Sequence, residues 1–191
     1  MKYKKYLFIL TALYFLLGFI NIHSAILALV CLMFPIVLLF IDRKKTWCQE
    51  YCPRASLFTA CGKLKTKHPG KTPDFFINGN MKWIILAYFL MNLFFIAATT
   101  IRVSSGAVLP MNYLRFLLFI PVPFELPQLL NFENIVPWVT HLSFRLYSMM
   151  MTTTFIGLIF GLIYKPRTWC VICPISTVSD LYLKSKSQTA N

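Results

Sequence analysis

The chain has 191 residues, of which 58% are hydrophobic, 16% aromatic and only 13% charged, and this composition excludes an ordinary soluble domain. A formal net charge of +13 would suggest nucleic acid in a soluble chain. In an apolar chain it reports instead which side of a lipid bilayer each polar segment occupies, and nucleic acid is set aside as a partner.

After Lys2, Lys4 and Lys5, no charged residue occurs from Tyr6 to Ile41. One helix needs about 20 residues to cross hydrocarbon. The run therefore predicts two helices, Tyr6 to Ile22 and Ala25 to Ile41, folded at the polar cluster Asn21-Ile22-His23-Ser24. A cleaved leader fits less well, because the apolar region is too long, His23 is a poor residue near a cleavage site, and a second apolar span follows at once. Pro35 predicts a kink in the second helix, and Cys31 reads as a packing residue inside it.

Asp42 to Lys82 is the first substantial polar segment, and it includes a basic cluster from Lys63 to Lys71. Trp83 to Ile101 predicts a third crossing, with Trp83 as an interfacial anchor and Asn92 as the polar side chain within it. From Arg102 to Arg145, prolines at 110, 121, 123, 127 and 137 divide apolar pieces such as Tyr113 to Ile120. These predict short helices lying in the membrane interface. Leu146 to Tyr164 predicts a fourth crossing, and a polar tail follows from Lys165.

Four crossings place the amino terminus, the segment from Asp42 to Lys82 and the tail on one side, together with 16 of the 19 Lys and Arg residues. Only Arg102, Arg115 and Arg145 lie opposite. The positive-inside rule then predicts a multi-pass protein of a bacterial cell membrane with both termini in the cytoplasm. The Lys63 to Lys71 cluster offers a docking surface for an acidic electron carrier or anionic lipid, with a solvated loop as the plain alternative.

The first polar segment carries Lys45-Thr46-Trp47-Cys48-Gln49-Glu50-Tyr51-Cys52-Pro53, and the tail carries Arg167-Thr168-Trp169-Cys170-Val171-Ile172-Cys173-Pro174. The repeat predicts an all-α membrane protein of two parallel hairpin-plus-motif halves, residues 1–82 and 83–191, forming one structural unit. Both cysteine pairs then meet at the cytoplasmic end of the bundle. Gly157 and Gly161, spaced as GxxxG, suit close helix approach there.

Cytoplasmic cysteines stay reduced, so metal binding is a better reading of Cys48, Cys52, Cys170 and Cys173 than a disulfide. Four thiolates suit either a tetrahedral zinc or an iron-sulfur cluster, and ligand count does not choose between them. The proline after each pair, the flanking apolar and Trp residues, and the membrane setting favour the cluster. Trp47, Trp169 and Tyr51 are expected to shield it. Cys61 is a further candidate ligand, with a bystander role as the alternative.

The repeated motifs on a four-crossing plan resemble the membrane polyferredoxin-like 4Fe-4S proteins of the NapH and NosR types. The resemblance implies CxxxCP motifs on the cytoplasmic side and electron transfer between the quinone pool or a cytoplasmic carrier and a partner redox protein. Cys48 and Cys52 match the family's CxxxCP motif, whereas Cys170 and Cys173 form a version one residue shorter. The chain lacks the CxxCxxCxxxCP runs and flavin-binding domain of larger members, so it is expected to hold one cluster and to act as an electron-transfer component rather than a stand-alone enzyme.

His23 and His141 share the outer side and are candidates for a haem or quinone site, against the commoner role of interfacial histidines bonded to backbone or water. Arg145 reads as an interface anchor, and Asp42, Glu50, Asp74 and Asp180 as solvated charges. No phosphate-binding glycine loop, paired membrane carboxylates or hydrolase triad is visible. A zinc-binding factor for assembly or regulation of a membrane complex remains the competing function.

Overall fold

The computed structural model describes residues 6–63, 72–117, 120–122 and 136–189. Lys2, Lys4 and Lys5, the stretch from 64 to 71 that holds most of the basic cluster, and Pro123 and Pro127 lie outside the described residues. The described chain is mostly helical.

Helix α1 covers Leu7–Ile20. It ends at Asn21, whose extended backbone and side-chain oxygen, accepting the His23 N–H at 2.9 Å, start a single 3-10 turn over Ile22–Ile26. Helix α2, Leu27–Asp42, follows and continues through Pro35. The apolar run is thus broken at the predicted polar cluster. Short helices α3, Pro53–Lys63, and α4, Asp74–Asn78, precede the long α5, Met81–Ser104.

Three stretches, Ile22–Asp42, Met81–Ser104 and Pro137–Ile163, are long and apolar enough to cross a membrane. At 1.5 Å per residue, the 14 residues of α1 reach only about 21 Å, against roughly 30 Å of hydrocarbon. Large apolar side chains on these helices, among them Leu13, Leu16, Val30, Phe40, Phe94 and Ile101, are exposed.

The segment after α5 departs from expectation. Arg115–Phe116 (β1) and Ile120–Pro121 (β2) pair as an antiparallel hairpin instead of a short helix, so the all-α expectation is corrected by one small two-stranded sheet. Leu117 adopts a left-handed φ of 50°. The Arg115 and Leu117 N–H groups donate to the hydroxyls of Ser148, at 3.1 Å, and Thr152, at 3.4 Å. These hydroxyls satisfy backbone donors that a helix would have paired internally.

Helix α6 covers Pro137–Ile163 and so begins nine residues before the predicted Leu146. Pro137 occupies the first helical position, where its missing N–H costs nothing. The polar residues that follow find partners within the fold: Ser143 Oγ donates to the Val139 carbonyl at 2.8 Å, and His141 is doubly bonded as described below. Two further helices, α7 (Thr168–Ile172) and α8 (Pro174–Thr189), complete the chain.

The chain divides into two compact units, one of Met1–Thr11, Cys31–Phe89 and Phe155–Asn191, the other of Ala12–Val30 and Leu90–Thr154. Buried Phe58, Phe76, Trp169 and Ile172 form the core of the first, with Phe160, Tyr164, Cys170 and Cys173 packed against it. Gly157 lies beneath the Phe58 ring, where an added Cβ would sit 2.4 Å from the ring carbon Cζ. The core of the second unit is Ile22, Ala25, Met111, Leu114, Phe144 and Tyr147. There Tyr147 stacks over Gly18 and donates its hydroxyl to the Phe15 carbonyl at 3.2 Å.

Candidate metal centre

All six cysteines are free thiols, and all belong to the first unit. The two motifs are built on one backbone plan. In each, a single helical turn ends at a cysteine with extended backbone: Cys52 at φ −66°, ψ 110° and Cys173 at φ −59°, ψ 130°. Proline clashes with a helical residue before it and fits the first position of a helix, so Cys-Pro forces the break and starts the next helix in one step. Pro53 opens α3 and Pro174 opens α8. The carbonyls of Cys52 and Cys173 accept the N–H groups of Ser56 and Thr177, at 3.3 and 3.0 Å.

The extra residue of the first motif is absorbed locally. Trp47–Tyr51 forms a π-helical turn, closed by the Cys52 N–H donating to the Trp47 carbonyl at 2.8 Å, whereas Thr168–Ile172 is an α-helical turn. A π turn accommodates one more residue between the same two ends. The difference between CxxxC and CxxC is therefore met within the turn before each Cys-Pro.

Opposite charges and hydroxyls tie the motifs to each other's following helix. Lys45 Nζ lies 2.5 Å from Asp180 on α8, and 3.5 Å from the Ser176 hydroxyl. Arg167 Nε donates to Thr59 Oγ1 on α3 at 3.1 Å. Lys45 and Arg167 each precede a Thr-Trp-Cys, while Thr59 and Asp180 each stand seven residues after the last cysteine of their motif. The two cross-links are equivalent contacts made in opposite directions. Asp180 is exposed, as expected of a solvated charge, and is also ion-paired with Lys45.

The four motif thiols lie within electrostatic reach of one another. Burial first, then Cys173 and Cys52, push the Cys48 thiol up to about 11. Burial, then Cys52 and Cys173, push Cys170 up to about 12. Cys173 is raised by burial, against the opposing pull of Arg54 and of backbone N–H groups of Ser176 and Ile175 at the start of α8. Such groups at a helix N-terminus favour a thiolate. These effects describe a set of donors that repel one another as anions and that a bound cation would relieve.

Two residues without an assigned role in the sequence pattern join this set. Cys31 interacts with Cys52, Cys173 and Arg54. Arg54, at the second position of α3, interacts with Cys52, Cys173, Cys31 and Cys170. Cys61 stands near the far end of α3, roughly 12 Å along the helix axis from Pro53.

Of the expected aromatic shield, Trp169 is buried against Phe160 and Trp47 packs on Phe34 with ring centroids 5.5 Å apart. Tyr51 is 51% exposed and does not shield the site. Among the described residues no three His, Cys, Asp or Glu side chains are grouped as ligands of a single metal ion. A tetrahedral zinc draws four thiolates to about 2.3 Å of one ion, whereas a four-iron cluster takes one thiolate per iron and spreads them apart. Four thiols are donors that suit either group.

His23 and His141 do not form a haem site. His141 Nδ1 accepts the Met111 N–H at 3.1 Å, so its proton sits on Nε2 and is donated to Thr99 Oγ1, also 3.1 Å away. Both ring nitrogens are engaged, and neither lone pair is free for iron. His141 instead fastens the segment around Met111 to α5 and α6.

A family model described as a 4Fe-4S binding domain matches residues 24–71 and 147–188. Each matched segment contains apolar helix, one Trp-Cys motif and the helix opened by its Cys-Pro. No curated protein and no solved structure matches the chain. The family match supports an iron-sulfur protein, in agreement with the donor set formed by the two motifs.

Proposed function

We propose that the chain is a membrane-embedded electron-transfer protein that holds one 4Fe-4S cluster through Cys48, Cys52, Cys170 and Cys173. The observation that carries this reading is the meeting of two Trp-Cys-Cys-Pro turns in one compact unit, with mutually interacting thiols, inside the segments matched by the 4Fe-4S family model.

Topology supports the same reading. Two candidate spans, Met81–Ser104 and Pro137–Ile163, separate the motifs; if both cross, an even number of crossings lies between the motifs, which supports a shared face whether or not α1 crosses. With α1 as a fourth crossing the termini share that face as well, and the excess of Lys and Arg makes it the cytoplasmic face of a bacterial cell membrane. When bound, the cluster supplies one-electron exchange without making a bond to a substrate. Around it, the Cys-Pro turns fix the four sulfurs, Trp47 and Trp169 exclude water, and the Lys45–Asp180 and Arg167–Thr59 contacts hold the two motifs together. A quinone or cytoplasmic carrier gives the electron, and a partner redox protein takes it.

The test is the iron, acid-labile sulfide and zinc content of the full chain purified without oxygen, for wild type and Cys170→Ser. About four iron and four sulfide per chain, lost in the variant, is the expected result for ligation by four cysteine thiolates. About one zinc without sulfide would replace this reading with a structural or assembly role.

A further inference from the structure

One polar stripe of α6 holds the segment that precedes it. His141, Arg145, Ser148 and Thr152 recur at spacings of four, three and four residues, which places them on the same side of the helix. Three of the four accept a backbone N–H from residues 111–117: Met111 donates to His141 Nδ1 at 3.1 Å, Arg115 to Ser148 Oγ at 3.1 Å and Leu117 to Thr152 Oγ1 at 3.4 Å. The segment therefore runs along the stripe in register, and Tyr113, midway between Met111 and Arg115, falls beside Arg145.

Arg115 lies over the Tyr113 ring, its guanidinium carbon 5.0 Å from the centroid, and donates to the Tyr113 hydroxyl. Both residues are within electrostatic reach of Arg145. Register and charge thus gather two guanidiniums and a phenol at one place. Arg145 Nε is buried there without a hydrogen-bond partner, which leaves a charged donor unsatisfied. Two like charges side by side are also unfavourable unless an anion meets them. Among the described residues the acidic side chains, Asp42, Glu50, Asp74 and Asp180, all belong to the other compact unit, and Glu125 and Glu133 lie outside the described residues.

The depth of this place selects the anion. Arg145 stands eighteen residues before Ile163, the last residue of α6, and so about 27 Å along the helix axis, close to the roughly 30 Å of hydrocarbon that a spanning helix crosses. With α6 across a bilayer, Arg145 reaches the phosphate level of the leaflet remote from Ile163. We propose that Arg145 and Arg115, with the Tyr113 hydroxyl beside them, bind the phosphate of a phospholipid headgroup in that leaflet. Guanidinium groups match phosphate oxygens in both charge and geometry, and a lipid phosphate gives the buried Arg145 Nε an acceptor. This rests on α6 crossing a membrane and makes no use of the cluster.

The experiment is native mass spectrometry of the full chain, delipidated in detergent micelles and titrated with dioleoylphosphatidylglycerol or with dioleoylglycerol, which has the same tails without the phosphate. The expected result is one phosphatidylglycerol held per chain, with an affinity that falls by about fivefold or more in Arg115→Gln and in Arg145→Gln, as the loss of a charged hydrogen bond implies. Lys184→Gln combined with Lys186→Gln removes two charges from α8 and is expected to leave that affinity unchanged. A smaller fall in Arg115→Gln, an equal fall in the lysine variant, or equal binding of dioleoylglycerol would overturn the proposal. Displacement of the lipid by millimolar inorganic phosphate would overturn it in favour of a soluble anion. Lipid binding that tightens by about fivefold or more, a charged hydrogen bond's worth, in Glu125→Gln combined with Glu133→Gln would overturn it in favour of those carboxylates. Arg115 meets the α6 stripe through its backbone N–H, so Arg115→Gln decides alone if Arg145→Gln does not fold. Absence of iron and sulfide would refute the cluster reading and leave this result standing.

Discussion

Helices α3 and α8 begin alike and then diverge. Each starts with a proline after an extended cysteine, each has its first turn capped by that cysteine's carbonyl, and each receives the other motif's basic residue seven positions after the cysteine. Beyond this framework the side chains differ. At two positions after the cysteine stand Arg54 and Ile175, and at six positions after it stand Phe58 and Ser179. Phe58 is 2% exposed and rests on Gly157, while Ser179 donates its hydroxyl to Ile175 within its own helix. The backbone that presents the sulfurs is thus shared, whereas α3 sends a ring into the core where α8 has a hydroxyl bonded within its own helix, and N–H groups that favour a thiolate at Cys173 come from the second half.

The most severe way to break this division of roles is Phe58→Ala. Removing a buried aromatic ring from a closely packed site costs about 3–5 kcal/mol, whereas Ser179→Ala removes one intrahelical hydrogen bond, worth about 1 kcal/mol. Thermal unfolding in detergent micelles measures both, and equal losses would show that the two helices dock equivalently. Deleting Gln49 converts CxxxC into CxxC. Since the framework shared by the motifs is the Cys-Pro break rather than the length of the turn, the deletion is expected to close the π turn to an α turn and keep at least half the iron. Loss of all iron, as expected for Cys170→Ser, would make the π turn itself indispensable.

The smallest effects belong to the cross-links. Lys45→Ala and Arg167→Ala should each cost about 1 kcal/mol or less, as expected for partly exposed polar contacts. Only the Lys45 effect should vanish at about 1 M salt, because only that contact pairs two charges. A salt-sensitive Arg167 effect would show that its charge interaction with Cys170, rather than the Thr59 contact, carries the stability.

Much of this framework is legible in the sequence because it depends on local chemistry. Cys-Pro dictates a helix break wherever it stands, a long uncharged run dictates an apolar helix, and Asn21 followed by His23 and Ser24 dictates a cap. What escapes a linear reading depends on residues distant in sequence. Pro137 reads as a helix breaker but serves as a first helical residue, because the polar groups after it find partners such as Thr99 and the Met111 N–H. Tyr113 to Ile120 reads as a short helix until the hydroxyls of Ser148 and Thr152, more than thirty residues away, take its backbone donors. Arg54 counts in the sequence as one of many topological charges, and Cys31 as a packing residue. Their charge interactions with Cys52 and Cys173 join segments far apart in sequence.

The spacing of the motifs also sets a timetable for assembly. Cys52 and Cys173 are separated by 121 residues, which a ribosome adding about 5–20 residues per second takes roughly 6 to 24 s to synthesise. Throughout that interval the nascent chain presents only the first pair of motif thiols, so on the four-cysteine reading proposed above the ligand set is complete only after the last long helix has been made.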